Sequence, residues 1–271
     1  MESEWRRVTT SRRCPVCGKP DWCLVAQDNT AAICPRTPAE KYIDGSGYLH
    51  VLIETEAPLN PQKKPPAQLP EHNTIMSMLD AKYRQSLGAN GLVALTRDLG
   101  VTEESLKKLG IGWSETKGAF SFPMLRKGNR VLGIRFRCMN GKKFAAKGSK
   151  QGLFIPKTYV QNKGVVICEG PTDTAAMIDL GFNAIGRPSC NAGNRLIGEL
   201  VRGLPVVIVA DNDKVGKDGA VKLRGYLGRM NTNKRVGVID CGDHKDAREW
   251  LQSGATRQGV LHAIERSLKN G

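Results

Sequence analysis

The stretch Val165-Val166-Ile167-Cys168-Glu169-Gly170-Pro171-Thr172-Asp173 decides the fold, because a continuous apolar run ends there at a glutamate and a turn. A second run, Val206-Val207-Ile208-Val209, has the same character. Continuous apolar runs are typical of strands that helices cover on both faces. The pattern around them alternates strand and helix. It predicts a parallel α/β sheet, with strands at 165–168, 183–185, 205–210 and 235–239 and helices at 172–180, 195–200 and 218–230.

Acidic residues follow the apolar strands of this predicted sheet. Glu169 and Asp211 would emerge at one edge, since ligands bind at the carboxyl ends of parallel strands. Alternation carries Asp213 to the same side. Asp173 follows Glu169 closely and Asp246 comes later, beside Lys245, although Asp173 alone is also a plausible helix cap. Clustered carboxylates repel unless cations intervene, and oxygen ligands are those that Mg2+ uses to organise phosphates. Two such ions could activate a 3′-hydroxyl and stabilise a leaving pyrophosphate.

Four of the eight cysteines lie close together near the N-terminus. Cys14-Pro-Val-Cys17-Gly has the form of a metal-binding knuckle, and Cys23 and Cys34 could supply the other two thiolates. The second pair departs from the usual Cys-x2-Cys spacing, so His50 is an alternative ligand. Clustered thiols in a reducing compartment indicate metal more than disulfides. We predict one structural zinc ion in a segment too small to fold unaided.

Composition shifts along the chain predict four parts. Residues 1–56 form the zinc-binding ribbon, and the proline-rich stretch 57–70 suits an extended linker. Residues 71–160 begin with helices at 75–87 and 102–110 and continue with an antiparallel sheet of strands 120–124, 131–137 and 142–146. Residues 161–271 hold the α/β sheet.

The charge balance favours a polyanionic partner. Lys and Arg total 41 against 26 Asp and Glu, a formal net charge of +15, and nucleic acid is the natural candidate. Alternation in Ile134-Arg135-Phe136-Arg137 places both arginines on one face of a strand, where they could hold phosphates or simply be solvated. No apolar run approaches the ~20 residues that cross a bilayer, and residues 1–13 lack the apolar core of a signal peptide. We expect a cytoplasmic protein with no membrane partner.

These residues resemble a known family. Glu169-Gly-Pro-Thr-Asp173, Asp211-Asn-Asp213 and Lys245-Asp246-Ala look like the three parts of the TOPRIM domain shared by primases, topoisomerases and some nucleases. Upstream, Phe122-Pro123-Met124, the Gly133 to Arg137 stretch and Lys147-Gly-Ser-Lys150 look like the N-terminal part of a primase core. With the zinc ribbon, this order is similar to that of bacterial and phage DNA primases over nearly the whole chain.

The resemblance implies an α/β protein, α+β overall, with a zinc ribbon, an antiparallel-sheet subdomain and a TOPRIM parallel-sheet domain. It implies a DNA-directed RNA polymerase of primase type, which makes short RNA primers on single-stranded DNA by Mg-dependent nucleotidyl transfer. Glu169 would lie nearest the chemistry, with Mg2+ held by it and by Asp211 and Asp213 and supported by Asp173 and Asp246. The nucleotide- and template-binding residues would be Arg135, Arg137, Lys142, Lys147 and Lys245.

The implied cofactors are one structural Zn2+ and catalytic Mg2+, which Mn2+ could replace. The implied partners are single-stranded DNA, ribonucleoside triphosphates and a separate replicative helicase, in a bacterial or phage-infected cytoplasm. The cysteine spacing departs from that of many primases, and the sequence ends after the TOPRIM motifs, so we expect a stand-alone primase without a helicase domain. The alternatives are a TOPRIM nuclease, which uses water as nucleophile, and a non-catalytic single-strand-binding replication factor. A topoisomerase needs a tyrosine nucleophile, and no motif marks one.

Overall fold

The chain forms two compact units, residues 1–67 and 68–271. A computed structural model describes residues 5–43, 46–52, 72–230 and 235–269. The predicted linker at 57–70 lies outside the described residues, and its boundaries stay a prediction. No helix within the described ranges combines the length and apolarity needed to cross a bilayer.

The first unit is a five-stranded antiparallel sheet. Its strands are β1 (Trp5–Arg7), β2 (Leu24–Ala26), β3 (Ala31–Cys34), β4 (Lys41–Ile43) and β5 (Gly47–Val51). They lie side by side in the order β1-β2-β3-β5-β4. The buried apolar cluster beneath them contains only six described residues, and three of these are cysteines: Val8, Cys14, Cys23, Val25, Ala32 and Cys34. So small a core stabilises a sheet weakly, which fits a unit that depends on metal.

The second unit begins with three helices and a four-stranded antiparallel sheet. The helices are α1 (His72–Gln85), α2 (Ala89–Leu99) and α3 (Glu103–Lys108). The strands follow in chain order, β6 (Gly112–Ser114), β7 (Ala119–Arg126), β8 (Arg130–Arg137) and β9 (Lys143–Ala145). The β7–β8 hairpin turns at Gly128 and Asn129, which both have positive φ, as a tight hairpin requires.

A parallel sheet follows, with strands β10 (Val165–Glu169), β11 (Ala184–Arg187), β12 (Val206–Ala210) and β13 (Val236–Asp240). Their order is β11-β10-β12-β13 and every pairing is parallel. The helices of this part are α4 (Pro171–Asp179), α5 (Asn194–Leu200), α6 (Lys214–Arg229), α7 (Ala247–Gln252) and α8 (Arg257–Lys269). Side chains of β10 and β12 enter two separate apolar clusters, one on each face of the sheet. This two-sided burial explains their continuous apolar runs.

The predicted fold class is confirmed: a cysteine-bearing antiparallel unit precedes an antiparallel sheet and then a parallel α/β sheet. The sixth helix begins at Lys214 and not at 218, because the Asp213 side chain caps it by accepting the Gly216 backbone N–H at 2.7 Å. The helix α2 was not predicted. Its N-cap is Gly88, which offers no side-chain cap, so the sequence carries no start signal there.

Candidate functional site

A cleft of about 470 Å3 lies at the carboxyl edge of the parallel sheet. Glu169 ends β10, Asp211 follows β12, and Asp246 caps α7 beyond β13. Asp173 lies in the first turn of α4. The four carboxylates that line the cleft are therefore those of Glu169, Asp173, Asp211 and Asp246. The strand-end rule that predicted their convergence describes this part of the structure correctly.

The electrostatic cost of this cluster appears in two raised pKa values. Burial raises the pKa of Asp173 to about 7, and the nearby Asp246 charge adds to the effect. Burial also raises the pKa of Asp211 to about 7, with further increases from Asp173 and Glu169. The folded protein thus holds several carboxyl groups that resist ionising together, as expected for a site that a cation completes.

This arrangement predicts an unusual pH dependence of stability in buffer free of Mg2+. A carboxyl group whose pKa rises on folding binds its proton more tightly in the native state, so the free energy of unfolding falls as pH rises from about 4 towards 7. We expect Asp211→Asn to be more stable than the parent at pH 8 and to lose that advantage at pH 4. Urea unfolding of the second unit at both pH values measures this, because that unit carries Asp211 and none of the clustered thiols. Equal differences in stability at the two pH values would contradict it.

Glu169 faces a buried arginine that the sequence analysis did not select. The two residues pair in the register of β10 with β11, and Arg187 Nη2 lies 3.8 Å from Glu169 Oε2. Arg187 is only 1% exposed, and its Nη1 donates to the carbonyls of Cys190 at 2.6 Å and Gly219 at 3.2 Å. Glu169 Oε2 is buried and receives no hydrogen bond from the described residues. Arg187 therefore supplies a positive charge behind Glu169 without donating a hydrogen bond to its Oε2.

The turn after β12 is tied to the loop after β13. The Asn212 backbone N–H donates to the Lys245 carbonyl at 2.7 Å, and its side-chain amide donates to the Gly242 carbonyl at 2.7 Å. Gly216 is packed so closely that a Cβ there would lie 2.8 Å from Asp211 Cβ. These contacts fix the backbone that carries Asp211. Asp213 is exposed, does not line the cleft, and uses its side chain to cap α6, so its role as a magnesium ligand stays a prediction.

The opposite wall of the cleft is basic. Arg135 and Arg137 reach it from β8, and Lys143 comes from β9 as the cross-strand partner of Arg137. Arg135 Nη2 donates to the Pro188 carbonyl at 3.3 Å, and Arg137 Nη2 pairs with Asp98 Oδ2 at 3.4 Å. The five cationic side chains that line the cleft are those of Arg135, Arg137, Lys143, Lys245 and Arg248.

Two of the basic residues selected from the sequence lie elsewhere. Lys142 is in the turn before β9 and Lys147 follows that strand; both are exposed and neither lines the cleft. Lys143 and Arg248 were missed as site residues. The signal for Lys143 was its cross-strand position opposite Arg137, which becomes visible once the hairpin register is known. Arg248 lies beside the acidic residues of the cleft, where its backbone N–H donates to Asp173 Oδ1 at 3.2 Å.

In the first unit, the four predicted cysteines come together. One sulfur from each of Cys14, Cys17, Cys23 and Cys34 lies within 4.8 Å of all the others. The group joins the knuckle at 14–17, the loop before β2 and the end of β3. His50 lies outside the group and directs its Nε2 to the Thr37 carbonyl at 3.0 Å, so the alternative ligand is not supported.

The charges around these thiols suit a cation. Burial raises the pKa of Cys23, and its hydrogen-bonded neighbours Cys14 and Cys17 raise it further. Burial acts in the same direction on Cys17, but hydrogen bonds from the Lys19 backbone and from the other thiols outweigh it and lower the pKa of Cys17 to about 6. One thiolate thus forms readily while another resists ionisation. A divalent ion that ligates all four sulfurs removes that conflict.

Comparison with solved structures identifies the fold that carries this cleft. The catalytic core of DnaG matches with a TM-score of 0.61 and 16% sequence identity over 73% of this chain and 80% of the other. The DnaG primase catalytic domain bound to single-stranded DNA matches with a TM-score of 0.60 and 15% identity over 73% and 81%. The chain has the primase fold.

The primase fold extends over most of this sequence. The primase fragment of the bacteriophage T7 primase-helicase protein matches 96% of the chain and 100% of its own length, at a TM-score of 0.51 and 15% identity. No family model and no curated protein matches the sequence. At identities this low, the likeness establishes the primase fold, and the activity has to be argued from the residues of the cleft.

Proposed function

We propose that the chain is a DNA primase, which joins ribonucleotides into short primers on single-stranded DNA by Mg-dependent nucleotidyl transfer. The observation that carries this proposal is the cleft of the primase fold, where four carboxylates and five cationic side chains line the same space. A nucleoside triphosphate uses both kinds of residue. Its phosphates bind to the cationic side chains, and the carboxylates bind the metal ion that acts on its reacting phosphorus.

The acidic wall of the cleft offers the type of ligand atom that Mg2+ binds. All its candidate ligands are carboxylate oxygens, the donor type that Mg2+ takes, and Glu169 Oε2 has no hydrogen bond from the described residues. We assign the metal to Glu169 and Asp211, with Asp173 and Asp246 in support and Asp213 as a further proposed ligand. Bound there, Mg2+ would neutralise charge on the transferring phosphate and polarise the attacking hydroxyl.

We assign separate roles in substrate binding and proton transfer to residues of the cleft. Arg135, Arg137 and Lys143 hold the triphosphate from the sheet side, and Lys245 and Arg248 hold it from the acidic side. The 3′-hydroxyl of one nucleotide attacks the α-phosphorus of the next, a phosphodiester bond forms and pyrophosphate leaves. Glu169 is the group that we assign to the released proton, since its Oε2 has no hydrogen bond from the described residues and Arg187 lies 3.8 Å from that oxygen.

The first unit would hold one structural zinc ion on its four thiolates and contact the template. Single-stranded DNA is bound to the DnaG primase catalytic domain in one of the matched structures, and it is the proposed template here. Ribonucleoside triphosphates are the proposed substrates, and a separate replicative helicase is the proposed partner. Exposed lysines of the second unit, Lys142 and Lys147, are proposed as outer template contacts.

Synthesis by the purified chain tests the proposal. We expect short labelled oligoribonucleotides when the chain is mixed with Mg2+, labelled ribonucleotides and single-stranded DNA of random sequence. Their formation should require both template and Mg2+. Labelled template in a parallel reaction distinguishes the alternatives: its degradation would support a nuclease, and intact template with tight binding but no product would support a binding factor. Either result would contradict the proposed activity.

A further inference from the structure

Trp22 is a large apolar side chain with an unusual degree of exposure. It is 72% exposed although its neighbour Cys23 is fully buried in the cysteine cluster. The other tryptophans for which burial is described are half-buried. An aromatic ring held in solvent directly beside the cysteine cluster adds nothing to the core of this unit. Its position therefore needs an explanation outside the fold of the unit itself.

The backbone at Trp22 is strained in a way that projects the ring outward. The Cys23 backbone N–H donates to the Asp21 carbonyl at 2.8 Å, across a single residue, and Trp22 has a φ of 63°. This is a γ-turn with a positive φ at its central residue, a rare and strained turn. A bulky side chain in this region costs free energy that glycine would avoid, and such strain concentrates at functional positions.

Arg36 holds this turn rigidly. Its Nη1 donates to the Asp21 carbonyl at 2.9 Å, and its Nη2 pairs with Asp21 Oδ1 at 2.5 Å. The same guanidinium lies 3.7 Å from Cys23 Sγ and 3.9 Å from Cys17 Sγ. The turn is thus held by contacts to both the cysteine cluster and a side-chain ion pair. A backbone that is already ordered in this way loses little conformational entropy when a ligand binds to the ring.

The charges near the ring indicate the chemistry of its ligand. Arg12, Arg13 and Lys19 are exposed in the loop that leads to Trp22, and Arg13 reaches the Gly18 carbonyl at 3.4 Å. The one carboxylate in this stretch, on Asp21, is already paired with Arg36. A loop that exposes both an aromatic ring and several cations matches single-stranded nucleic acid, in which bases can stack while the backbone meets positive charge.

We propose that Trp22 is a stacking platform for one base of the single-stranded template. The inference rests on the proposed function, because it names the residue through which the first unit contacts that template. Binding of a single strand through this stacking accounts for three observations together: the exposure of the ring, the strained turn that presents it, and the exposed cations of the same loop.

Fluorescence anisotropy of a labelled 12-nucleotide single strand, titrated with the full chain, tests the proposal. We expect Trp22→Ala to weaken binding about fivefold or more, the lower end of the effect of one stacked base, and Trp22→Phe to weaken it less. The dependence of affinity on salt should be the same for parent and Trp22→Ala, because stacking releases no counterions. On an otherwise identical strand with abasic sugars, the parent and Trp22→Ala should bind equally.

Two variants separate stacking from folding. Trp22→Gly removes the ring and suits the positive φ, so it should retain zinc and stability yet bind as weakly as Trp22→Ala. Val51→Ala truncates an apolar side chain of the same unit with the same 72% exposure but no aromatic ring, and it should bind like the parent. Unchanged affinity in Trp22→Ala would overturn the inference and assign the ring to a protein contact, leaving the proposed function intact. A parent chain that fails to bind single strands at all would overturn both.

Discussion

Replacing Glu169 with glutamine is expected to reduce primer synthesis by about a hundredfold or more. The change removes one charge but keeps the shape of the side chain. Loss of a preorganised group that stabilises the transferring phosphoryl group costs on the order of 3 kcal/mol, which corresponds to about a hundredfold in rate. Template affinity should stay the same or rise slightly, since the variant removes a negative charge from a cleft that faces a polyanion. Dinucleotide synthesis and template affinity, measured side by side, separate these two effects.

Glu199→Gln is the matched control for this experiment. It makes the same chemical change on α5, outside the cleft, at a residue that pairs with Arg195 on the surface. It should leave synthesis unchanged, because exposed ion pairs contribute little to stability. Near-parental synthesis in Glu169→Gln would remove the acidic wall from the mechanism, whereas equal losses in both variants would point to a general effect on folding.

Substitution of one cysteine of the cluster is expected to release the zinc and unfold residues 5–52. Three of the six buried residues in the apolar cluster of this unit are cysteines of the proposed zinc site, so little else stabilises it. Structural zinc contributes about 10–16 kcal/mol of binding free energy in small zinc modules, far more than such a core supplies. Cys14→Ser should therefore lower the zinc content from about one ion per chain to nearly none. Elemental analysis measures the metal, and limited proteolysis measures the loss of structure.

The second unit should survive the same substitution. Its apolar clusters contain no residue of the first unit, so a protease-resistant fragment that begins near residue 68 is expected. Cys138→Ser is the control, since Cys138 lies outside the cluster and its replacement should leave the zinc content unchanged. Freshly purified parent protein that contains no zinc would contradict the prediction directly.

The acidic wall could be predicted from sequence because its signal is local. An apolar run covered on both faces has to be a central strand, and the residue at its carboxyl end has to lie at the ligand-binding edge. Glu169 and Asp211 satisfy this rule and line the cleft. The rule failed to exclude Asp213, because a residue two positions beyond a strand can equally begin the next helix. The capping hydrogen bond to Gly216 shows that it does so here.

The basic residues in and behind the cleft were predicted less well because their signal is not local. Arg187 was missed since a lone arginine in a sequence pattern usually indicates a solvent-exposed position, and only the pairing of β11 with β10 places it behind Glu169. Lys143 was missed in favour of Lys142 and Lys147. Its face of the sheet depends on the register between β8 and β9, which a shift of one residue would invert.

The two hydrogen bonds that join Asn212 to the 242–245 loop have a consequence for anyone who mutagenises this protein. The loop and the turn that carries Asp211 behave as one structural element, so substitutions in them will not combine additively. Both acceptors are backbone carbonyls, so side-chain substitutions at 242–246 keep them, whereas substitution of Asn212 removes the side-chain donor. Loss of activity in Asn212 variants would then report the lost tie to the loop and not a change in the carboxylates of the cleft. A library that aims at new substrate preferences at this edge should therefore keep Asn212 and vary the side chains around it.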